Sequence, residues 1–148
     1  MTRPNLKTIA FWTATIFGPA SFIIGGVLSF RSDPQMIEGL GHLGYPPYFP
    51  MILGTWKILG ALAIVAPGLP RLKEWAYAGF FFDLTGAAAS HAFSGDAAAD
   101  IVAPLAFLAL VLASWALRPD GRRLASTPAR PKSRVIIDRV EPLVPAMR

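Results

Sequence analysis

A charged side chain in the middle of a run long enough to cross a membrane leaves few folds open, and this chain has two such runs back to back. Between Tyr45 and Ser94 the sequence reads as two apolar stretches joined by a short basic turn, Pro67 to Glu74. Lys57 stands inside the first stretch, Asp83 and His91 inside the second. Each stretch is about long enough to cross a ~30 Å hydrocarbon core at about 1.5 Å per residue. A charge at mid-bilayer costs roughly 3 kcal/mol on insertion scales, so it faces protein and takes a partner. Lys57 and Asp83 stand at nearly equal distances from the turn, so an antiparallel hairpin puts them at one depth. The Lys57–Asp83 pair is expected to be the polar centre of the molecule. Its plainest role is structural, since such a pair fixes the register of two helices whether or not it adds net stability.

The remaining composition fits one membrane domain. Of 148 residues, 53% are hydrophobic, which leaves no room for a separate soluble core. The chain has no cysteine, and this excludes disulfides, thiolate metal sites, Fe–S clusters and cysteine redox chemistry. The net charge of +5 is not a nucleic-acid signal, because eight of the fourteen basic residues follow Leu117. A basic tail after a hydrophobic span is a cytoplasmic topology signal facing anionic lipid.

In order, a short basic leader is followed by the uncharged run Thr8 to Phe30, the first expected span. The run is too long for a signal-peptide core of ~7–15 residues, so a retained helix is expected, kinked at Pro19. Ser21, Gly25 and Ser29 form a ridge suited to close helix contact. In the following loop Ser32 or Asp33 caps a short helix that has Pro34 at its first position. Met36, Ile37, Leu40 and Leu43 fall on one side of it, and Glu38 and His42 on another. This segment is expected to lie in the membrane interface between the first two spans. The second span runs from about Tyr48 to Ala66 and the third from Trp75 to Phe93. On the third, Gly79, Asp83, Gly86, Ala87 and Ser90 share a face that reads as buried, with bulkier groups left for lipid. The fourth span is Ile101 to Leu117. Residues 1–117 thus read as an all-α, four-helix transmembrane domain, and 118–148 as a basic, Pro-rich cytoplasmic tail with a sticky end at Val135, Ile136 and Ile137. The leader, the 67–74 turn and the tail hold twelve basic residues against one in the 31–47 loop, so both termini are expected inside.

The hairpin resembles the DoxX-like family of small four-helix membrane proteins. The resemblance is carried by Leu43-Gly44-Tyr45-Pro46, by Trp56-Lys57-Ile58-Leu59-Gly60-Ala61 and by the run from Pro67 to Gly79. It continues through Phe82-Asp83-Leu84-Thr85-Gly86-Ala87 to Ser90-His91. The wider group includes membrane subunits linked to quinone-dependent sulfur oxidation, proteins associated with oxidative stress and thiol metabolism, and assembly factors for other membrane proteins. The resemblance implies a multi-pass protein of the bacterial inner membrane and tilts the function toward redox metabolism.

The expected site is a polar track. Lys57 and Asp83 lie at depth, Ser90 and His91 about 12 Å further along the helix, and Glu38 and His42 at the mouth. Trp56 or Tyr45 would stack on the edge of a flat ring bound there, with Gly54, Gly60 and Gly86 leaving it room. A metal site is not expected, because zinc needs more of its usual ligands than this chain gathers. No nucleotide-binding glycine motif or nucleophile triad is present, so no intrinsic cofactor or catalytic centre is expected. Three functions follow. The first is an accessory subunit that binds a quinone or another lipid-soluble molecule and serves a redox partner subunit. The second is a membrane assembly scaffold whose ion pair is only structural. The third is a small-molecule transporter, which four spans could form only as a homo-oligomer. All three place the chain in the lipid bilayer, and none involves nucleic acid.

Overall fold

The computed structural model describes residues 5–31 and 33–124, and their regular structure is entirely helical. Asn5 opens α1 (Leu6–Phe17) by accepting the Lys7 amide at its side chain. The first apolar run does not continue as one kinked helix. It breaks at Gly18–Pro19, passes through a 3-10 turn (Pro19–Ser21), and resumes as α2 (Phe22–Ser29). A proline ring removes a donor and clashes with the preceding turn, and a glycine beside it gives no resistance to the break.

Asp33 caps α3 (Pro34–His42), its carboxylate accepting the Gln35 amide at 2.9 Å, with Pro34 at the first helical position. Ser32, the alternative cap, lies outside the described residues. Gly44, at φ +85°, turns the chain toward α4 (Phe49–Val65). Helix α5 (Pro70–Ser94) starts earlier than its apolar run suggests. Pro70 takes its first position, and Gly68 and Leu69 make the turn with left-handed backbones at φ +66° and +54°. Lys73 and Glu74 are therefore helical residues rather than part of a loop. After Gly95, again left-handed, α6 (Ala98–Ala116) also begins before its apolar run and takes Pro104 into its second turn.

Packing follows a closed circuit: α1 on α6, α6 on α5, α5 on α4, and α4 on α2. The core is Ala61, Ile64, Tyr77, Phe80, Leu84, Leu108 and Val111, with Phe22 and Ile23 packed against it. This corrects the expected orientation of α5. Its bulky residues Tyr77, Phe80 and Leu84 are buried, while Gly79 and Gly86 are exposed. Small residues do make the α2–α4 crossing, through Gly26 and Ser29 against Gly54 rather than through Gly25. A Cβ on Gly54 would stand 2.7 Å from that of Ser29, so the backbones approach as closely as glycine permits.

A hydrogen-bonded chain ties three helices through the interior. Thr15 Oγ1 lies 2.7 Å from Ser114 Oγ, and Ser114 Oγ lies 2.8 Å from Tyr77 OH. Beyond α6 the chain stays packed. Arg118 is only 4% exposed, with Nη1 2.8 Å from Glu74 Oε1, a contact in charge but not aligned along an N–H. Arg122 donates to the carbonyls of Ile64 and Val65, and Arg123 to that of Ala116. The tail boundary expected at Arg118 thus falls inside the packed region, and the apolar end of the tail lies outside the described residues.

Candidate ligand groove and polar latch

Between α4 and α5 runs a groove of about 740 Å³. Leu40, Leu43 and Tyr45 bound it at one end, and Leu72 and Trp75 at the other. Its walls are apolar, and Lys57 and Asp83 face each other midway along it. Lys57 Nζ lies 3.5 Å from Asp83 Oδ2 and 5.4 Å from the centroid of the Phe22 ring. The side chains keep 22% and 18% of their exposure, so the pair is lodged in the groove wall rather than sealed in the core. Asp83 Oδ2 is shielded yet has no hydrogen-bond partner among the described residues. The attraction here is between charges, and hydrogen-bonding capacity is left over in the middle of a largely apolar trough.

The glycines of α5 shape this space. A Cβ added at Gly79 or Gly86 would meet nothing within 4 Å, so both leave the groove wide. Gly60 is tighter, its Cβ position lying 3.1 Å from the Phe80 ring, and Gly54 belongs to the α2–α4 contact instead. Trp56, 68% exposed, and Tyr45, whose ring stacks on Phe49 at 4.4 Å, both line the groove.

The other members of the expected track are placed elsewhere. Ser90 Oγ hydrogen-bonds Tyr45 OH at 2.9 Å and does not line the groove. His91 and His42 are brought together, but through a residue that the sequence did not single out. Asp96 meets His42 Nε2 with one carboxylate oxygen at 2.7 Å and His91 Nδ1 with the other at 2.6 Å. Hydrogen bonds from His42, and then from His91, hold the Asp96 carboxyl below the usual carboxylate range. Partial burial opposes this, and by less than the two hydrogen bonds favour it. Glu38 is exposed and outside both sets. The signal for Asp96 was local. The left-handed Gly95 closes α5 by turning the chain back, and the Asp96 amide donates to the His91 carbonyl at 3.1 Å.

Lys73 was also missed as a contributor. Lys73 is 1% exposed, and its ammonium donates to the carbonyls of Ala63, at 2.7 Å, Ile64, at 3.0 Å, and Ala66. A helix C-terminus leaves such carbonyls without partners and carries negative potential, and Lys73 and Arg122 together answer both.

Away from the groove, large apolar side chains stand exposed, among them Phe17, Ile24 and Phe93 at 63%, 68% and 93%. Leu6–Ser29 and Ala98–Ala116 are long and apolar enough to cross a bilayer, and Phe49–Val65 is a shorter apolar helix. An all-α circuit with two helices of spanning length and large apolar side chains at its surface is of the class that lies in a membrane. The profile of the DoxX-like family matches residues 13–114, and the chain belongs to that family. That span takes in the groove, the Lys57–Asp83 pair and Asp96. No curated protein and no solved structure matches the chain.

Proposed function

We propose that this protein is a four-span protein of the bacterial inner membrane, with both termini in the cytoplasm. It takes a lipid-soluble small molecule with a polar head, of the quinone kind, into the α4–α5 groove. Serving redox metabolism this way, it is an accessory subunit that presents the molecule to a partner carrying the redox centre. The observation behind the reading is the placement of Lys57 and Asp83, a donor and an acceptor with bonding capacity to spare, midway along an apolar groove that glycines keep wide. A carbonyl oxygen of a ring would take a hydrogen bond from Lys57 while the apolar tail lies along Leu72 and Trp75. Sites that bind such ligands are apolar with few, well-placed polar groups.

The test is saturable binding of a short-tailed quinone analogue to the purified protein, followed by tryptophan quenching, since Trp56 and Trp75 line the groove. Wild type should saturate, Gly79→Leu should bind weakly or not at all with its fold intact, and Asp83→Asn should weaken binding. Absence of saturable binding by wild type, or unimpaired binding by Gly79→Leu, defeats the reading. The chain would then be a scaffold whose ion pair only sets helix register.

A further inference from the structure

We infer that α3 is a lid, latched to the α5–α6 turn through Asp96, that shuts the groove's end against the aqueous phase and leaves the groove open to the bilayer. The inference rests on the groove being a binding site and concerns how that site is reached. Helix α3 has no buried residue of its own, and its substantial packing is on α4. It nevertheless supplies Leu40, and the residue after it Leu43, to the end of the groove. A helix so lightly packed belongs to the least stable part of a fold, and what holds it in place decides whether the end is open. The polar ties are few and sit at its C-terminal edge. His42 reaches Asp96 at 2.7 Å, and Asp96 in turn holds His91 on α5 at 2.6 Å. Past the left-handed Gly44, Tyr45 is fixed to Ser90 on α5 at 2.9 Å. Tyr45 therefore belongs to the fixed rim, and Gly44 separates it from the part that can lift. Asp96 joins lid and body through both oxygens of a single carboxylate, the one residue to do so among those described.

Because the chain has no cysteine, a thiol placed in the groove reports access alone. In Gly86→Cys the new Cβ meets nothing within 4 Å. Its labelling is followed with a charged, water-soluble thiosulfonate and with an apolar maleimide that partitions into the membrane. With the latch intact the apolar reagent should react and the charged one should be slow. Adding Asp96→Ala should speed the charged reagent by roughly ten-fold or more, the loss expected for charge-assisted hydrogen bonds, and leave the apolar reagent nearly unchanged. Amide exchange on the same pair should quicken in α3 and not in α5 or α6. Equal rates for the two reagents with the latch intact, an unchanged charged rate in Asp96→Ala, or exchange that quickens throughout would overturn the lid. No quinone analogue enters this experiment, so failure of ligand binding and failure of the lid are separate results.

Discussion

At the scale of single residues, two carboxylates carry the polar organisation, and each makes a measurable claim. Lys57 and Asp83 are 3.5 Å apart in a largely apolar setting, so removing one leaves the other charged and alone. Losing one member of a fully buried pair typically costs ~3–5 kcal/mol, and less for a pair that keeps some exposure as this one does, while replacing both with apolar groups is often neutral. Lys57→Met and Asp83→Leu should therefore each lower the melting temperature in detergent more than the double variant does, and additive losses would disprove the coupling. Asp96 makes a claim about pH. Its carboxyl is held below the ordinary range by His42 from α3 and His91 from α5. A depressed folded value means the unfolded chain takes up the proton first. The stabilisation is therefore complete above the ordinary aspartate value of about 3.9 and lost as pH falls through the lower folded value. The melting-temperature gap between wild type and Asp96→Asn should hold steady at mildly acidic pH and close below that value. A gap that persists at the acid end would show that the charge on Asp96 is not what latches α3. Reading outward from the turn located the first carboxylate, because depth in a helical hairpin is set by counting. It passed over Asp96, whose partners His42 and His91 become its neighbours only once Gly95 reverses the chain and α3 folds over the end.

At the scale of helices, the sequence marks where elements lie better than which way they face. Apolar runs locate α4 and α6 closely, and the Pro34 and Asp33 signals locate α3. The face of α5 was not legible, since in a membrane both sides of a helix are apolar and period alone does not separate core from lipid. Its small residues turned out to shape a groove, and its bulky ones to fill the core. The start of α5 was obscured for another reason. Lys73 and Glu74 look like loop residues until α4's terminal carbonyls and Arg118 are seen beside them. Two glycine substitutions of opposite sign test this assignment of faces. Gly54→Ala puts a Cβ 2.7 Å from Ser29 Cβ and 2.9 Å from the Gly26 carbonyl oxygen, a backbone atom that cannot yield cheaply. Overpacking of that kind costs about 1–3 kcal/mol. Gly79→Ala meets nothing and gains helix propensity, up to about 1 kcal/mol. Thermal unfolding of the two variants should move in opposite directions. A neutral Gly54→Ala, or a Gly79→Ala that destabilises, would mean that the α2–α4 contact and the groove wall have been exchanged.

At the scale of the whole molecule, charge separates the two ends. Lys73, Arg118, Arg122 and Arg123 gather where α4 ends, α5 begins and α6 ends, several of them bonded to backbone carbonyls there. The opposite end holds α3 and the Asp96 latch, and Arg31 is the basic residue of its 31–47 loop. Lys and Arg are retained on the cytoplasmic side during insertion, so the first end should face the cytoplasm and the lid the other compartment. The cationic end is also fixed structurally, because the ammonium of Lys73 and the guanidinium of Arg122 take up the terminal carbonyls of α4. Turning the molecule over would carry these groups across the bilayer. The absence of cysteine makes the orientation directly measurable. A thiol introduced at Glu38, which is exposed on α3, should react with an impermeant reagent in intact cells. A thiol at Gly121, exposed beyond α6, should react only after the membrane is opened. The reverse pattern would put the lid in the cytoplasm and overturn the orientation. Reaction of both sites in intact cells would put an even number of crossings between them, and the four-span arrangement itself would fall. Reaction of Glu38→Cys alone, with the Gly121 thiol protected until lysis, leaves a span count between them that carries α3 and Arg122 to opposite faces, as three crossings by α4, α5 and α6 require.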